Sequence, residues 1–149
     1  MRVILQRVNW ASVVVSGSEI GAIESGLLIF LGVRKGDQEK DADFLAQKIS
    51  TLRIFEDENG KMNLDVKEVG GSLLVISQFT LHADTRKGRR PAFTDSEHPQ
   101  KAKFLYEYFC KKLKSLGIKK VETGQFAANM QVSLQNDGPV TIVLKSEND

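Results

Sequence analysis

Three polar side chains at the end of the most apolar stretch of the chain are the first candidates for chemistry. Ser77, Gln78 and Thr80 close a run in which five of the seven residues from Leu73 to Phe79 are apolar. Such continuity predicts a strand buried on both faces. Polar groups at the mouth of a buried strand suit a binding site held by a rigid scaffold. The alternative is that they only satisfy backbone groups where the strand leaves the core.

A basic cluster follows this strand. Arg86, Lys87, Arg89 and Arg90 place four cations in five residues around Gly88. Clusters of this kind suit phosphate groups, although a solvated loop has the same composition. A looser group of lysines lies between positions 111 and 120, where enrichment near the end of a helix is equally expected.

The sequence offers little for conventional nucleophilic catalysis. Its two histidines, His82 and His98, lie in no recognisable triad or metal-ligand spacing, and no nucleophile elbow or phosphate-binding glycine loop is present. One cysteine, Cys110, excludes an intramolecular disulfide and a cysteine-based zinc site. An enzyme built on this chain would therefore depend on backbone donors, hydroxyl groups and its own substrate. Such means suffice only for a reactive bond, such as an activated ester.

A second polar motif lies near the C-terminus. Asn136-Asp137-Gly138-Pro139 separates the alternating stretch Met130–Leu134 from Val140–Leu144. These residues are typical of turns, and the flanks read as the two strands of a hairpin. A proline after glycine can also adopt the cis form at modest cost.

The remaining chain predicts the elements that would position these residues. Residues 2–8 read as a strand that resumes at Ala11–Ser16 after a break near Asn9-Trp10, and the other predicted strands are Glu19–Ile23, Gly26–Val33, Arg53–Glu56, Lys61–Leu64 and Lys119–Thr123. Helical periodicity predicts a helix from about Glu39 to Leu52 and another from about Pro99 to Gly117. The order is not a strict strand-helix alternation. We therefore predict a mixed α/β (α+β) fold in three layers, β/β/α, with two mixed sheets in a barrel-like core and two main helices on one side.

Composition limits the class of protein. At 149 residues, with 41% hydrophobic and 27% charged residues, the chain fits one domain over residues 1–149. No apolar run reaches the roughly 20 residues of a membrane span, and the N-terminal apolar run is too short for a signal peptide. These features predict a cytoplasmic protein. The net charge of +2 does not by itself indicate a nucleic-acid partner.

Taken together, Ser77-Gln78-Phe79-Thr80-Leu81 and Asn136-Asp137-Gly138-Pro139-Val140-Thr141 resemble motifs of the D-aminoacyl-tRNA (D-tyrosyl-tRNA) deacylase family. The similarity runs nearly end to end. It extends over Met1–Val8, Gly26–Gly32, Leu52–Phe55, Gly60–Asn63, Arg86–Pro91 and Glu122–Gly124. The resemblance implies a homodimer that hydrolyses the ester between a D-amino acid and the 3′-terminal adenosine of tRNA. It also implies removal of glycine from wrongly charged tRNA and sparing of L-aminoacyl esters.

The resemblance also assigns roles to residues of this chain. It implies that Ser77, Gln78, Phe79 and Thr80 line the catalytic pocket, with the Phe79 N–H and the Ser77 hydroxyl donating to the substrate carbonyl. Thr80 is one candidate nucleophile; the alternative, which we favour, is water assisted by the ribose 2′-hydroxyl of the tRNA. A cis Gly138-Pro139 would reach into the partner's pocket and exclude L side chains. The resemblance further implies that Arg7 and Met130 support this motif. It also implies that the tRNA phosphates are bound by Arg86, Lys87, Arg89 and Arg90.

Two other functions stay open at this point. One is a non-catalytic RNA-binding module that uses the basic cluster, and the other is an esterase for small activated acyl compounds. No cofactor and no metal are expected for the deacylase.

Overall fold

The computed structural model describes residues 1–146 and 149. Its strands are β1 (Arg2–Val15), β2 (Ser18–Ile23), β3 (Gly26–Gly32), β4 (Phe55–Glu56), β5 (Met62–Leu64), β6 (Ser72–Ser77), β7 (Val121–Thr123) and β8 (Gln131–Lys145). The helices are α1 (Glu39–Ser50) and α2 (Pro99–Ser115), and a short 3-10 helix covers Phe79–His82.

Strand β1 organises the main sheet. Its N-terminal half pairs antiparallel with β3, its C-terminal half pairs with β2, and β8 follows it along its whole length on the opposite edge. The tight β1–β2 turn consists of Ser16 and Gly17, both at positive φ, as two-residue hairpin loops require. Parallel pairing then adds β6 to β3 and β7 to β6. The sheet therefore divides at β1 into two halves.

Successive side chains of the buried strands point alternately into two different cores. Leu27 and Ile29 of β3 belong to the core shared with the helices, whereas Leu28 belongs to a second core with Leu74 and Val13. The second core lies between the two halves of the sheet. The predicted mixed α+β class, with a barrel-like sheet core and two helices on one side, is confirmed. Strands β4 and β5 form a separate two-stranded ribbon.

The two helices begin where the sequence predicts. At α1, Gln38 and Asp41 form a reciprocal capping box, and α2 has Pro99 in its first turn. Leu105, Phe109 and Leu113 form the buried stripe of α2. None of the helices in the described part of the chain is long and apolar enough to cross a membrane.

Three predicted boundaries are wrong. Strand β1 does not break at Trp10; only its register against β8 shifts there. Strand β6 ends at Ser77, so Phe79 does not belong to the buried strand and is 55% exposed. The C-terminal hairpin does not form, because β8 continues through residues 136–139 without reversing. Residues 137–140 form a bulge: Val8 pairs with Asn136 and Gln6 pairs with Thr141, which leaves these four residues opposite Arg7.

Candidate active site

The end of β6 is held firmly before it enters the site. The Val75 carbonyl accepts a hydrogen bond from the Tyr106 hydroxyl at 2.7 Å and another from the Gly124 N–H at 3.2 Å. One residue beyond the strand, the Gln78 N–H donates to the Leu31 carbonyl at 2.8 Å. Burial raises the pKa of Tyr106, so its hydroxyl stays a neutral donor. Helix α2 and the segment after β7 thus fix the position of Ser77.

A mostly apolar cavity of about 470 Å³ lies beside this strand end. Ser77, Gln78 and Phe79 form one wall. Opposite them are the start of α2, with Pro99 and Ala102, and a loop segment that contributes Phe126, Ala127, Ala128, Asn129 and Met130. A cavity of this size with a few convergent polar groups suits a small organic group.

Thr80 is the exception among the four predicted catalytic residues. It does not line the cavity, is exposed, and accepts a hydrogen bond from the Gln78 side-chain amide. Phe79 occupies the rim, where its ring packs edge-on against Phe93 with centroids 4.9 Å apart. Because Phe79 begins the 3-10 helix, its N–H has no acceptor within that helix. The wall therefore offers a backbone N–H and a serine hydroxyl but not the threonine.

Among the described residues, no histidine, lysine or arginine lines the cavity, and Glu97 is the one carboxylate in its wall. Burial opposes the ionisation of Glu97, but hydrogen bonds from the Lys101 ammonium and the His98 N–H, both 2.9 Å, outweigh it and lower the pKa. A carboxylate held in this way is a weak base. The described lining residues therefore include no group suited to general-base catalysis near neutral pH.

His82 is remote from this chemistry. It is 5% exposed and does not line the cavity, and burial lowers its pKa. Its Nε2 atom has no hydrogen-bond partner among the described residues. Those residues also contain no group of three His, Cys, Asp or Glu side chains placed to hold a metal ion.

The bulge of β8 lies outside the cavity of its own chain. Gly138 and Pro139 are exposed, the peptide bond between them is cis, and neither residue contributes to the cavity wall. Gly138 has φ +127°, and a Cβ atom there would lie 3.0 Å from Val140 Cγ2 and 3.1 Å from the Val140 nitrogen. The conformation therefore favours glycine.

Arg7 lies beneath the bulge and is almost completely buried. Its Nη1 donates to the Ile54 carbonyl at 2.6 Å, and its Nε donates to the Asp137 carbonyl at 3.1 Å. The Asp137 carboxylate completes an ion pair at 3.2 Å. Met130, the other predicted supporting residue, lines the cavity instead, and its sulfur occupies the space that a side chain at Gly124 would need.

The basic cluster projects from a loop beside the cavity rim. Asp84 and Ala92 close this loop with two backbone hydrogen bonds, and Phe93 connects it to Phe79. Arg86 donates to both carboxylate oxygens of Asp84, which lowers the pKa of Asp84 to about 2. Lys87, Arg89 and Arg90 are exposed. At least these three cations face solvent.

Sequence reasoning missed one wall of the cavity. Residues 126–129 carry no motif, and Ala102 reads only as part of the stripe of a helix. They reach Ser77 because β7 pairs with β6 and because α2 packs on the sheet. A local pattern has no means of indicating such an approach.

Comparisons with known proteins identify the family of the chain. The family model described as D-Tyr-tRNA(Tyr) deacylase matches residues 4–145. A protein named D-aminoacyl-tRNA deacylase from Thermotoga petrophila is 56% identical over 146 residues, covering 98% of this chain and 97% of the relative. One of the same name from Koribacter versatilis is 55% identical over 149 residues, covering 100% and 99%.

Two solved structures share the fold. The c-Myc DNA unwinding element binding protein superimposes with a TM-score of 0.92 at 40% identity, covering 98% of this chain and 99% of that protein. A probable eukaryotic D-amino acid tRNA deacylase has a TM-score of 0.81 at 15% identity, covering 96% and 97%. At that identity the second match demonstrates the fold alone.

Proposed function

The chain belongs to the D-Tyr-tRNA(Tyr) deacylase family, and on that premise we propose how its cavity hydrolyses the ester of D-aminoacyl-tRNA while sparing the L form. The family identified from the sequence is confirmed. So is the enzyme class, a hydrolase acting on the aminoacyl-tRNA ester. The observation that carries the mechanism is a cavity whose described wall offers hydrogen-bond donors but no base.

The donors point to stabilisation of the developing oxyanion. The ester carbonyl accepts hydrogen bonds from the Phe79 N–H and the Ser77 hydroxyl, and the aminoacyl group and terminal adenosine occupy the cavity beside them. Donors fixed on a rigid strand end need no reorganisation when charge develops. The Gln78 side-chain amide donates a hydrogen bond to the Thr80 hydroxyl, so we place Thr80 outside the reacting centre and not as the nucleophile.

The substrate itself then supplies the group that the described cavity wall does not provide. The 2′-hydroxyl of the terminal ribose positions a water molecule, whose oxygen attacks the ester carbon. The bond from that carbon to the ribose 3′-oxygen breaks, and the 3′-oxygen receives the proton that the attacking water loses. Such assistance is sufficient because an aminoacyl ester is already activated. A terminal 2′-deoxyadenosine should therefore nearly abolish turnover, and an unchanged rate would refute this step.

Selection between D and L substrates requires a second copy of the chain. Gly138 and Pro139 are exposed and do not line the cavity of their own chain, and among the described residues β8 pairs only with β1. We place Gly138 and Pro139 of one subunit in the cavity of the partner, where their carbonyl oxygens clash with an L side chain. A D side chain points away, and glycine has no side chain to exclude. The enzyme therefore also removes glycine from mischarged tRNA.

Mixed dimers test the cross-subunit arrangement directly. One chain carries Phe79→Pro, which removes a catalytic N–H, and the other carries Gly138→Ala. In a mixed dimer, the intact cavity meets the intact bulge only across the interface. Hydrolysis that stays selective for D-tyrosyl-tRNA supports the proposal. Loss of selectivity in the mixed dimer, or a monomeric enzyme with full selectivity, would refute it.

The exposed cations Lys87, Arg89 and Arg90, together with Arg86, bind tRNA phosphates. Binding that rests on them weakens as salt rises. The variant Arg89→Glu/Arg90→Glu should lower the rate on D-tyrosyl-tRNA but not on a small D-aminoacyl ester. Unchanged rates on both substrates would favour a small-molecule esterase, which has no need of the basic cluster. Since aminoacyl-tRNA is the substrate, we place the enzyme in the cytoplasm.

One observation favours a second function. The 40% identical structure bears the name of a DNA-binding protein. A non-catalytic nucleic-acid-binding module predicts tRNA binding without turnover, unaffected by changes at Ser77 or Phe79. Hydrolysis of D-tyrosyl-tRNA but not of L-tyrosyl-tRNA by purified protein would exclude it as the sole function, whereas comparable rates on both esters would refute chiral selection.

A further inference from the structure

A second groove, of about 510 Å³, lies on the far side of the segment that walls the cavity. It runs between α2 and residues 123–126, and Phe126 lines both the groove and the cavity. A polymer leaving the cavity past Phe126 would therefore enter this groove. Hydrolysis in the cavity requires no residue of this groove other than Phe126.

The lysines of the groove give it a positive charge. Lys103, Lys111 and Lys114 line it against one carboxylate, Glu107. Lys103 and Glu107 approach to 3.8 Å, but both are more than half exposed, so their pairing is weak. Within the described part of the chain, no carboxylate lies within ion-pairing distance of Lys111 or Lys114. Two cations are thus available to a ligand.

The lysines form a row that begins at the cavity. Ala102, in the cavity wall, immediately precedes Lys103, and α2 then carries Lys111 and Lys114 away from it. At 1.5 Å per residue, the row from Lys103 to Lys114 is about 16 Å long. Helical geometry places the three side chains within about 80° of one another on the helix surface. One face of α2 thus presents a cationic track, which Glu107 interrupts between Lys103 and Lys111.

The floor of the groove adds no opposing charge. Cys110 is buried there, and burial raises its pKa to about 12, so the thiol stays neutral. The Tyr106 hydroxyl is occupied by the Val75 carbonyl. Beside the track, Phe104 is 54% exposed, and aromatic side chains next to a basic groove suit unstacked bases.

We propose that this groove binds the backbone phosphates of the nucleotides that immediately precede the terminal adenosine of the substrate tRNA. The inference rests on the proposed function and extends it. With the terminal adenosine in the cavity, the strand leads out past Phe126, and Lys111 and Lys114 neutralise its phosphates. The groove therefore binds the single-stranded 3′ end, and the loop carrying Arg89 and Arg90 binds a separate part of the tRNA.

Charge reversal along the groove tests this assignment. The variant Lys111→Glu/Lys114→Glu is compared with Lys40→Glu/Lys48→Glu, which makes the same change in net charge on exposed positions of α1. Binding of uncharged tRNA is measured across a salt series, and kcat/KM is measured on D-tyrosyl-tRNA and on the D-tyrosyl ester of adenosine. The variant Lys111→Gln/Lys114→Gln separates lost attraction from added repulsion.

The groove variant should bind tRNA at least tenfold more weakly. Its loss of kcat/KM on D-tyrosyl-tRNA should appear mainly as a higher KM. The ratio of kcat/KM on tRNA to that on the adenosine ester should fall by a similar factor. Two lost phosphate contacts should reduce the slope of log affinity against log salt by about 1.4. The α1 control should match the wild type.

An unchanged tRNA affinity and an unchanged salt slope would overturn the groove assignment. Equal losses of kcat/KM on both substrates would also overturn it, because the lysines would then act on the reaction in the cavity. A wild-type protein that binds tRNA but hydrolyses neither ester would refute the proposed function instead. The binding comparison would still decide the groove.

Discussion

Removing the Arg7 side chain tests whether the β8 bulge depends on a buried guanidinium. In Arg7→Met, the Ile54 carbonyl loses a charged donor at 2.6 Å and the Asp137 carbonyl loses one at 3.1 Å. A hydrogen bond to a charged group contributes about 1.5–3 kcal/mol, and the second of these is only partly buried. The Asp137 carboxylate is 46% exposed, so its ion pair adds at most about 1 kcal/mol.

Together these losses predict that Arg7→Met lowers the free energy of unfolding by about 3 kcal/mol. For a chain of this length, the melting temperature should fall by about 6–12 °C. Urea unfolding at a fixed protein concentration measures the change, since the stability of the proposed dimer would depend on concentration. The matched control is Asp137→Asn, which keeps the contact to the backbone and should cost less than about 1 kcal/mol.

The same variant probes selection. If Arg7 holds the bulge in position, Arg7→Met should raise the hydrolysis of L-tyrosyl-tRNA relative to D-tyrosyl-tRNA at a temperature where the protein stays folded. Stability within about 1 kcal/mol of the wild type would refute the energetic argument. A destabilised variant with unchanged selectivity would show that Arg7 supports the fold but not the bulge.

Three further predictions follow from single positions. Thr80→Ala should keep kcat within about tenfold of the wild type, since one general acid-base group contributes about 10²–10⁴ and Thr80 lies outside the cavity; complete loss would restore threonine as the nucleophile. Gly138→Ala should destabilise the bulge by about 1–3 kcal/mol, because its Cβ would press on the Val140 nitrogen, and should raise the rate on L-tyrosyl-tRNA; a stable, selective variant would contradict this. Because burial lowers the pKa of His82 below its ordinary 6.5, the folded state binds fewer protons than the unfolded state. Stability should therefore be full above pH 6.5 and fall as the pH drops towards the folded-state pKa, and urea unfolding of His82→Gln should lack this component; an identical pH dependence would refute it.

The C-terminal strand shows where local patterns fail. Asn136, Asp137, Gly138 and Pro139 are turn residues, and the sequence predicts a hairpin. The same residues suit a bulge, because a hairpin turn and a bulge both need a residue at positive φ and local hydrogen-bond partners for backbone groups. Strand β1 provides partners before and after the motif, so the chain does not reverse. The length of a partner distant in sequence decided between the two structures.

Phe79 shows a second limit. Counted among the apolar residues of the run, it reads as the continuation of a buried strand. The 3-10 turn after Ser77 instead brings its ring to the rim, against Phe93. The same turn places its neighbour Thr80 outside the cavity wall. A strand end is visible in the sequence, but the direction in which the chain leaves it depends on the residues that pack there.

By itself, the sequence determined the buried strands, both helices, the family and the position of the polar strand end, because these depend on periodicity, helix-start signals and contiguous motifs. Only the tertiary structure decided what faces Ser77. The opposite wall, the separation of the bulge from its own cavity and the lysine row beside Phe126 all arise from pairing and packing between distant segments. Those contacts depend on where whole elements come to rest, and no local spacing of residues records that position.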